Sequence, residues 1–289
     1  MPARRWTPAR WAAAALGCLL LAACGPGQAP EDGTAAKNAT PAQVVRRLTT
    51  HLRHNDLEAF AREAVPPGLH DELDLAWREG RTRWPLDQLP FGSRLPQMLD
   101  SLAAPGAETR LQRIFDRQFA GADRELRAAA RALGVFGAQY VGKEGDYSDD
   151  ERQHYTQLIA ATAQWGARAP LSDRERANAA IAALATAARR TGLTSEAAFR
   201  DAGIDSGLRR MGPFAAAFKR VVAGYGLRVD ADLATLEATL QQQTGDTALV
   251  RMRYRWAGQP IDTVVAMQRI DGQWYVADFL RHARAAATR

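Results

Sequence analysis

The chain has 289 residues, of which 46% are hydrophobic and 24% charged, a balance that supports a packed core and excludes a wholly disordered polypeptide. Two cysteines in the whole sequence exclude a disulfide-stapled scaffold. The formal charge is +6, but acids and bases interleave and no sustained basic run carries aromatics, so nucleic-acid binding is not expected.

The N-terminus carries Arg4, Arg5 and Arg10 and no acid before Cys24, and Trp11 to Ala23 form an apolar run. A basic start, a short apolar segment and a small-residue exit predict a secretory signal over residues 1–23. The run is shorter than the roughly 20 residues a bilayer-spanning helix needs. Its exit, Leu21-Ala22-Ala23-Cys24-Gly25, resembles the lipobox of bacterial lipoproteins. That resemblance implies cleavage before Cys24 and a diacylglyceryl thioether on its thiol. Ala15-Leu16-Gly17-Cys18 is a rival site with a poorer leading residue and a shorter apolar segment. Gly25 follows the cysteine where an aspartate marks inner-membrane retention in such proteins, so the resemblance implies the periplasmic face of the outer membrane. Loss of the three leader arginines lowers the formal charge to +3.

Residues 24–39 are Gly-, Pro- and Ala-rich and read as a flexible tether below the lipid. Thr40-Pro41-Ala42-Gln43 is a capping box that opens a helix facing inward through Val45, Leu48 and Leu52. Asn55-Asp56 breaks it, a second helix carries Leu57, Phe60 and Ala64, and Pro66-Pro67 ends that one. Residues 40–226 are expected to form a helical domain. Its apolar faces are Leu69, Leu73, Trp77; Leu95, Met98, Leu99, Leu102; and Leu111, Ile114, Phe115, Phe119. Ser148-Asp149-Asp150-Glu151 and Ser172-Asp173-Arg174-Glu175 read as two further capping boxes. Phe214, Phe218, Val221 and Val222 mark the last helix before Gly224 and Gly226.

After Leu227 the period becomes two. Strands are expected around Gly245, around Ala257-Gly258-Gln259-Pro260 and around Asp271-Gly272, closing over Gln273 to Asp278. The predicted fold class is α+β and predominantly helical, with a helical middle followed by a C-terminal four-stranded antiparallel meander. Residues 227–289 are expected to pack with the helices of 40–66. The phrase Asn55-Asp56-Leu57-Glu58-Ala59-Phe60, with the ending Asp271-Gly272-Gln273-Trp274-Tyr275-Val276, resembles cystatin-like or nuclear-transport-factor-like extracytoplasmic domains. The resemblance covers the first and last quarter of the mature chain and implies a helix packed in a curved sheet, a cone.

Two site readings follow. Arg251, Arg253 and Arg255 share a strand face and could form a surface for a partner or an anionic envelope component, although alternation alone predicts a solvated sheet face, where arginine also blunts edge pairing, and favours that reading. Tyr254, Trp256, Asp262 and Trp274 could line a pocket in the cone. His51 with His54, and Asp150 with His154, have metal-like spacing but lack the three or four converging ligands a site needs. No nucleophile elbow, phosphate loop or dinucleotide fingerprint is present. The sequence therefore predicts a lipid-anchored envelope protein that binds or interacts, with no cofactor, no metal and no catalytic residue. A carrier or enzyme using the cone pocket is the alternative.

Overall fold

A computed structural model describes residues 39–89, 92–143 and 146–289. The expected leader, Cys24, the rival Cys18 and the tether up to Asn38 lie outside them. Ala39–Arg289 form one compact unit.

The capping box at Thr40 is formed: Gln43 N donates to Thr40 Oγ1 at 3.3 Å and Thr40 N donates to Gln43 Oε1 at 2.7 Å. It opens α1 (Pro41–His54), which buries Val44, Val45 and Leu48. Asn55 ends α1 in the left-handed region at φ 60°, and Asp56 caps α2 (Leu57–Ala64). Pro67 then starts α3 (Pro67–Arg78), whose fixed φ suits a first turn. Next come α4 (Leu95–Ala103), α5 (Ala107–Gln118), α6 (Asp123–Lys143), α7 (Asp149–Gly166), α8 (Arg174–Thr191), α9 (Glu196–Gly224) and the short α10 (Val229–Leu233).

Asp173, not Ser172, is the cap of α8; its side chain accepts from Arg176 N. Long α9 is interrupted at Gly203, which sits at φ 68° and ψ 176°. The break frees the amide of Ile204, and Asp74 on α3 takes it at 2.8 Å. Burial pushes the Asp74 carboxyl up, but the Ile204 amide and Arg78 outweigh it and hold the group below its ordinary value. Helix α9 turns Phe199, Ile204, Leu208 and Met211 into the core. Phe218, expected on the apolar face, is 50% exposed, as is Met98 at 45%.

The sheet is an antiparallel meander in the order β1-β2-β3-β4, with β1 (Glu237–Thr244), β2 (Thr247–Trp256), β3 (Gln259–Ile270) and β4 (Gln273–Val276). The β3–β4 turn is Asp271-Gly272, both at positive φ, the geometry that matches strand twist in a two-residue hairpin. The strand expected to run to Asp278 ends at Val276, because Phe279, Leu280, Ala283 and Ala286 then follow helical spacing in α11 (Ala277–Ala287). The fold is thus α+β and predominantly helical with a four-stranded antiparallel meander, and a final helix follows it.

Register places Ala248, Val250, Met252 and Tyr254 opposite Met267, Val265, Thr263 and Ile261, on one face. One core joins Val44, Val45 and Leu48 of α1 to Ala248, Val250 and Met267, and continues through Trp77, Phe199 and Leu208 in the helices. A smaller cluster sets Ala161 and Leu158 of α7 against Tyr254 and Ile261. The outer edge of β3 is closed by Gln157 on α7, whose amide accepts from Asp262 N at 3.0 Å and donates to Asp262 O at 2.9 Å. A side chain thus stands where a neighbouring strand would pair, which protects the open edge.

Candidate functional site

The register that builds the core decides what the three arginines do. Arg251 and Arg253 lie on the face opposite Val250 and Tyr254, and Arg253 pairs in register with Asp262. Arg251 grips the Asp262 carboxylate with two hydrogen bonds, Nε to Oδ1 at 2.7 Å and Nη2 to Oδ2 at 2.5 Å. Arg253 Nε stands 3.4 Å from the same carboxylate. The Arg251 hydrogen bond and charge, aided by Arg253, hold Asp262 below the ordinary carboxylate range. Two of the three expected surface arginines are therefore occupied within the sheet.

Arg255 stands apart. Its register partner is Pro260, which offers no acid. It borders an open cleft of about 450 Å³ with Arg168 from the end of α7, Arg228 before α10, and the aromatic rings of Trp165 and Tyr225. Each wall is fixed by a local bond. Trp165 Nε1 donates to Tyr225 O at 2.9 Å, joining the ends of α7 and α9. Asp232 accepts from Ala257 N at 2.8 Å, pinning the β2–β3 turn to α10. Arg255 N donates to Thr235 Oγ1 and its guanidinium donates to Gly258 O, both at 2.8 Å. Arg168 Nε donates to Gln164 O at 3.1 Å. Among the described residues none of these three guanidinium groups meets a carboxylate within ion-pair distance, and all three arginines are exposed. The cleft combines three arginines with one acid, Asp232, and two aromatic rings, a net positive lining suited to anionic groups carried on a ring or chain.

The four expected pocket residues are not brought together. Tyr254 is buried under α7, its hydroxyl 2.6 Å from His154 Nε2. Trp256 donates from Nε1 to Thr162 Oγ1 at 2.9 Å. Asp262 is on the opposite face, held by Arg251. Trp274 is on β4, under the guanidinium of Arg269 at 5.4 Å. Alternation explains the scatter: the even-numbered residues of β2 face the core, and filled helices α1 and α7 already occupy that side.

A second polar cluster lies where α7 begins, against α11. Glu151 is buried and accepts from Ser148 N at 3.1 Å, from Arg281, and from His282 Nε2 at 2.8 Å. Ser148 Oγ donates to Asp278 Oδ2 at 2.9 Å while receiving the Glu151 amide, and Arg281 reaches Asp278 at 3.2 Å. Burial raises the Glu151 carboxyl, but His282, the Ser148 amide and Arg281 prevail and hold it below its ordinary value. Asp150 beside it is pushed up by burial and by Asp278 and Asp149. The Ser148 hydroxyl is engaged as a helix cap with a carboxylate, not with a base, so this geometry clasps α7 to α11 rather than activating a nucleophile. Among the expected histidine pairs, His51 meets Glu63 at 3.3 Å and His154 meets Tyr254. No group of three or more His, Cys, Asp or Glu side chains suited to a metal occurs among the described residues.

Arg168, Arg228 and the Glu151–His282 contact escape sequence reasoning because the partners are far apart in the chain. Asp262 was within reach. A two-residue Ala257-Gly258 turn sets it opposite Arg253, whereas reading the turn as Ala257 to Pro260 moves the register by two. Compared with family models, with curated proteins and with solved structures, the chain matches none of them.

Proposed function

We propose that this is a lipid-anchored protein of the bacterial cell envelope that acts as a binding module for an anionic envelope component, not as a catalyst. The lipobox-like Leu21 to Gly25 supports the anchor, and Gly25 supports the periplasmic face of the outer membrane. The observation that carries the binding half is the cleft in which three arginines, Arg168, Arg228 and Arg255, outnumber the one acid, Asp232, beside Trp165 and Tyr225, with none of the three in an ion pair among the described residues. The lie of α1 across the meander favours the cystatin-like reading of the C-terminal region, and in that arrangement the cone interior is filled by side chains. The carrier or enzyme alternative draws on convergent polar groups in that interior, and Tyr254, Trp256, Asp262 and Trp274 do not converge.

The test compares two sets of arginine substitutions. Binding of a uronic-acid oligosaccharide and of inorganic pyrophosphate is followed by calorimetry at low and at raised salt. Arg168→Gln, Arg228→Gln and Arg255→Gln together should abolish binding and leave the melting temperature unchanged. Wild-type binding should weaken as salt screens the exposed charges. Arg251→Gln with Arg253→Gln should leave binding intact, since those groups are already engaged by Asp262. Equal loss from both sets, or retained binding in the cleft variant, sinks the cleft reading.

A further inference from the structure

The outward side of α6 is built the wrong way round for a soluble helix. Its small residues point inward: Gly134 abuts Ala163, Gly137 abuts Ile159, and Ala130 abuts Gly166, so α6 lies tightly on α7. Its large apolar residues point outward. Leu133 is 68% exposed, Phe136 66%, Val135 61% and Tyr140 49%. From Ala128 to Tyr140 the one charged residue is Arg131. Helical geometry sets Arg131, Arg127 and Arg124 along one flank of this apolar face. Over the whole helix four cations stand against two acids. Such a contiguous exposed apolar surface marks a contact made with something else.

Two occupants fit an apolar face, and area separates them. At 68%, 61%, 66% and 49% exposure, Leu133, Val135, Phe136 and Tyr140 together offer roughly 450 Å² of accessible surface per copy. Pairing two copies through these side chains would bury roughly 900 Å², short of the ~1,200 Å² of a stable interface. A lipid surface imposes no such threshold on a chain already tethered to it. The fifteen residue-to-residue steps from Cys24 to Ala39 reach at most about 50 Å, so the unit never leaves the bilayer's vicinity and a shallow contact suffices. Leu, Phe and Tyr on one face with arginines on its flank also match an interfacial helix on anionic headgroups.

We infer that the outward face of α6 rests on the membrane surface as a second, non-covalent contact beside the lipid on Cys24. This rests on the anchored reading above. It fixes the orientation of the domain: the α6–α7 hairpin lies against the bilayer.

The test uses the mature, full-length protein in vesicles containing anionic lipid. Leu133→Cys and Phe136→Cys each introduce a thiol for an environment-sensitive fluorophore, and exposed Gln243→Cys on β1 serves as the reference. Emission at Leu133→Cys and Phe136→Cys should shift to the blue and be quenched several-fold by nitroxide-labelled lipid, while Gln243→Cys stays unquenched. Adding Phe136→Glu to Leu133→Cys should remove the quenching although the protein still floats with the vesicles. Anchored protein whose α6 labels remain unquenched overturns the inference. A blue shift that grows with protein density and ignores the lipid quencher also overturns it, by showing a second copy on this face. Unmodified Cys24 with protein left in solution shows that the anchored reading has failed, and the inference falls with it.

Discussion

Trp77→Ala should lower the unfolding free energy by about 3–5 kcal/mol, the range for removing a fully enclosed large aromatic side chain. Trp77 is 1% exposed and stands where α3 meets α9. Its Nε1 donates to Phe199 O at 2.7 Å, and its six-membered ring fills the space above Gly207. A Cβ on Gly207 would lie 2.8 Å from Trp77 Cζ2, so tryptophan and glycine form a matched pair. Alanine at position 77 therefore leaves a cavity and strips a buried carbonyl of its donor, two costs that add. Denaturant unfolding followed by far-ultraviolet circular dichroism measures the loss. A change below about 1 kcal/mol would mean that the ring is not what joins α3 to α9.

Acid should destabilise the protein in two separate windows. The first belongs to His154, which burial brings from 6.5 down to about 4. The folded state then refuses a proton that the unfolded chain accepts. Stability from this group is complete above pH 6.5, falls as pH drops towards about 4, and levels off below that. The span corresponds to about 3 kcal/mol. His154→Gln, which keeps a polar partner for the Tyr254 hydroxyl, should flatten this slope. The second window belongs to Glu151, whose carboxyl is held below its ordinary value of 4.5. Its contribution is present above pH 4.5 and is lost only as pH falls through the depressed value, when the clasp to His282 and Arg281 loses its charge. Glu151→Gln should therefore cost stability at neutral pH and remove the steeper loss at the acid end. Urea midpoints measured across the acid range check both. A His154→Gln profile as steep as wild type between pH 6.5 and 4 would contradict the first assignment.

What was legible in the sequence is what short-range chemistry fixes. Thr40 with Gln43, and Ser148 with Glu151, name both partners of a cap three residues apart, and both caps are formed. Asp271-Gly272 needs positive φ twice, and alternation along β2 separates Val250 and Tyr254 from Arg251 and Arg253. Ser172 and Asp173 carry equivalent capping chemistry side by side, so the sequence points to Ser172 while Asp173 caps α8. The final helix was hidden by Tyr275 and Val276, whose strand pattern runs without a break into Phe279 and Leu280. Helix α6 defeats apolar-face reasoning outright, since its contact with α7 is made by Ala130, Gly134 and Gly137 while Leu133 and Phe136 face out. The candidate site follows the same division. The strand pattern picks out Arg255, but the cleft needs Arg168 and Arg228, which only the packed ends of α7, α9 and α10 bring beside it. The Glu151–His282 contact links positions 131 apart, beyond the reach of any local pattern.

Lipid anchoring is decided at the N-terminus of the mature chain, which intact-mass spectrometry of protein extracted from the envelope reads directly. The mature chain should start at Cys24 and carry the mass of a diacylglyceryl group or of that group plus one further acyl chain. Cys24→Ala should release the protein from the membrane fraction or leave its leader uncut. A mature chain that begins elsewhere, or an unmodified Cys24 in a protein that still fractionates with membranes, rules the anchor out.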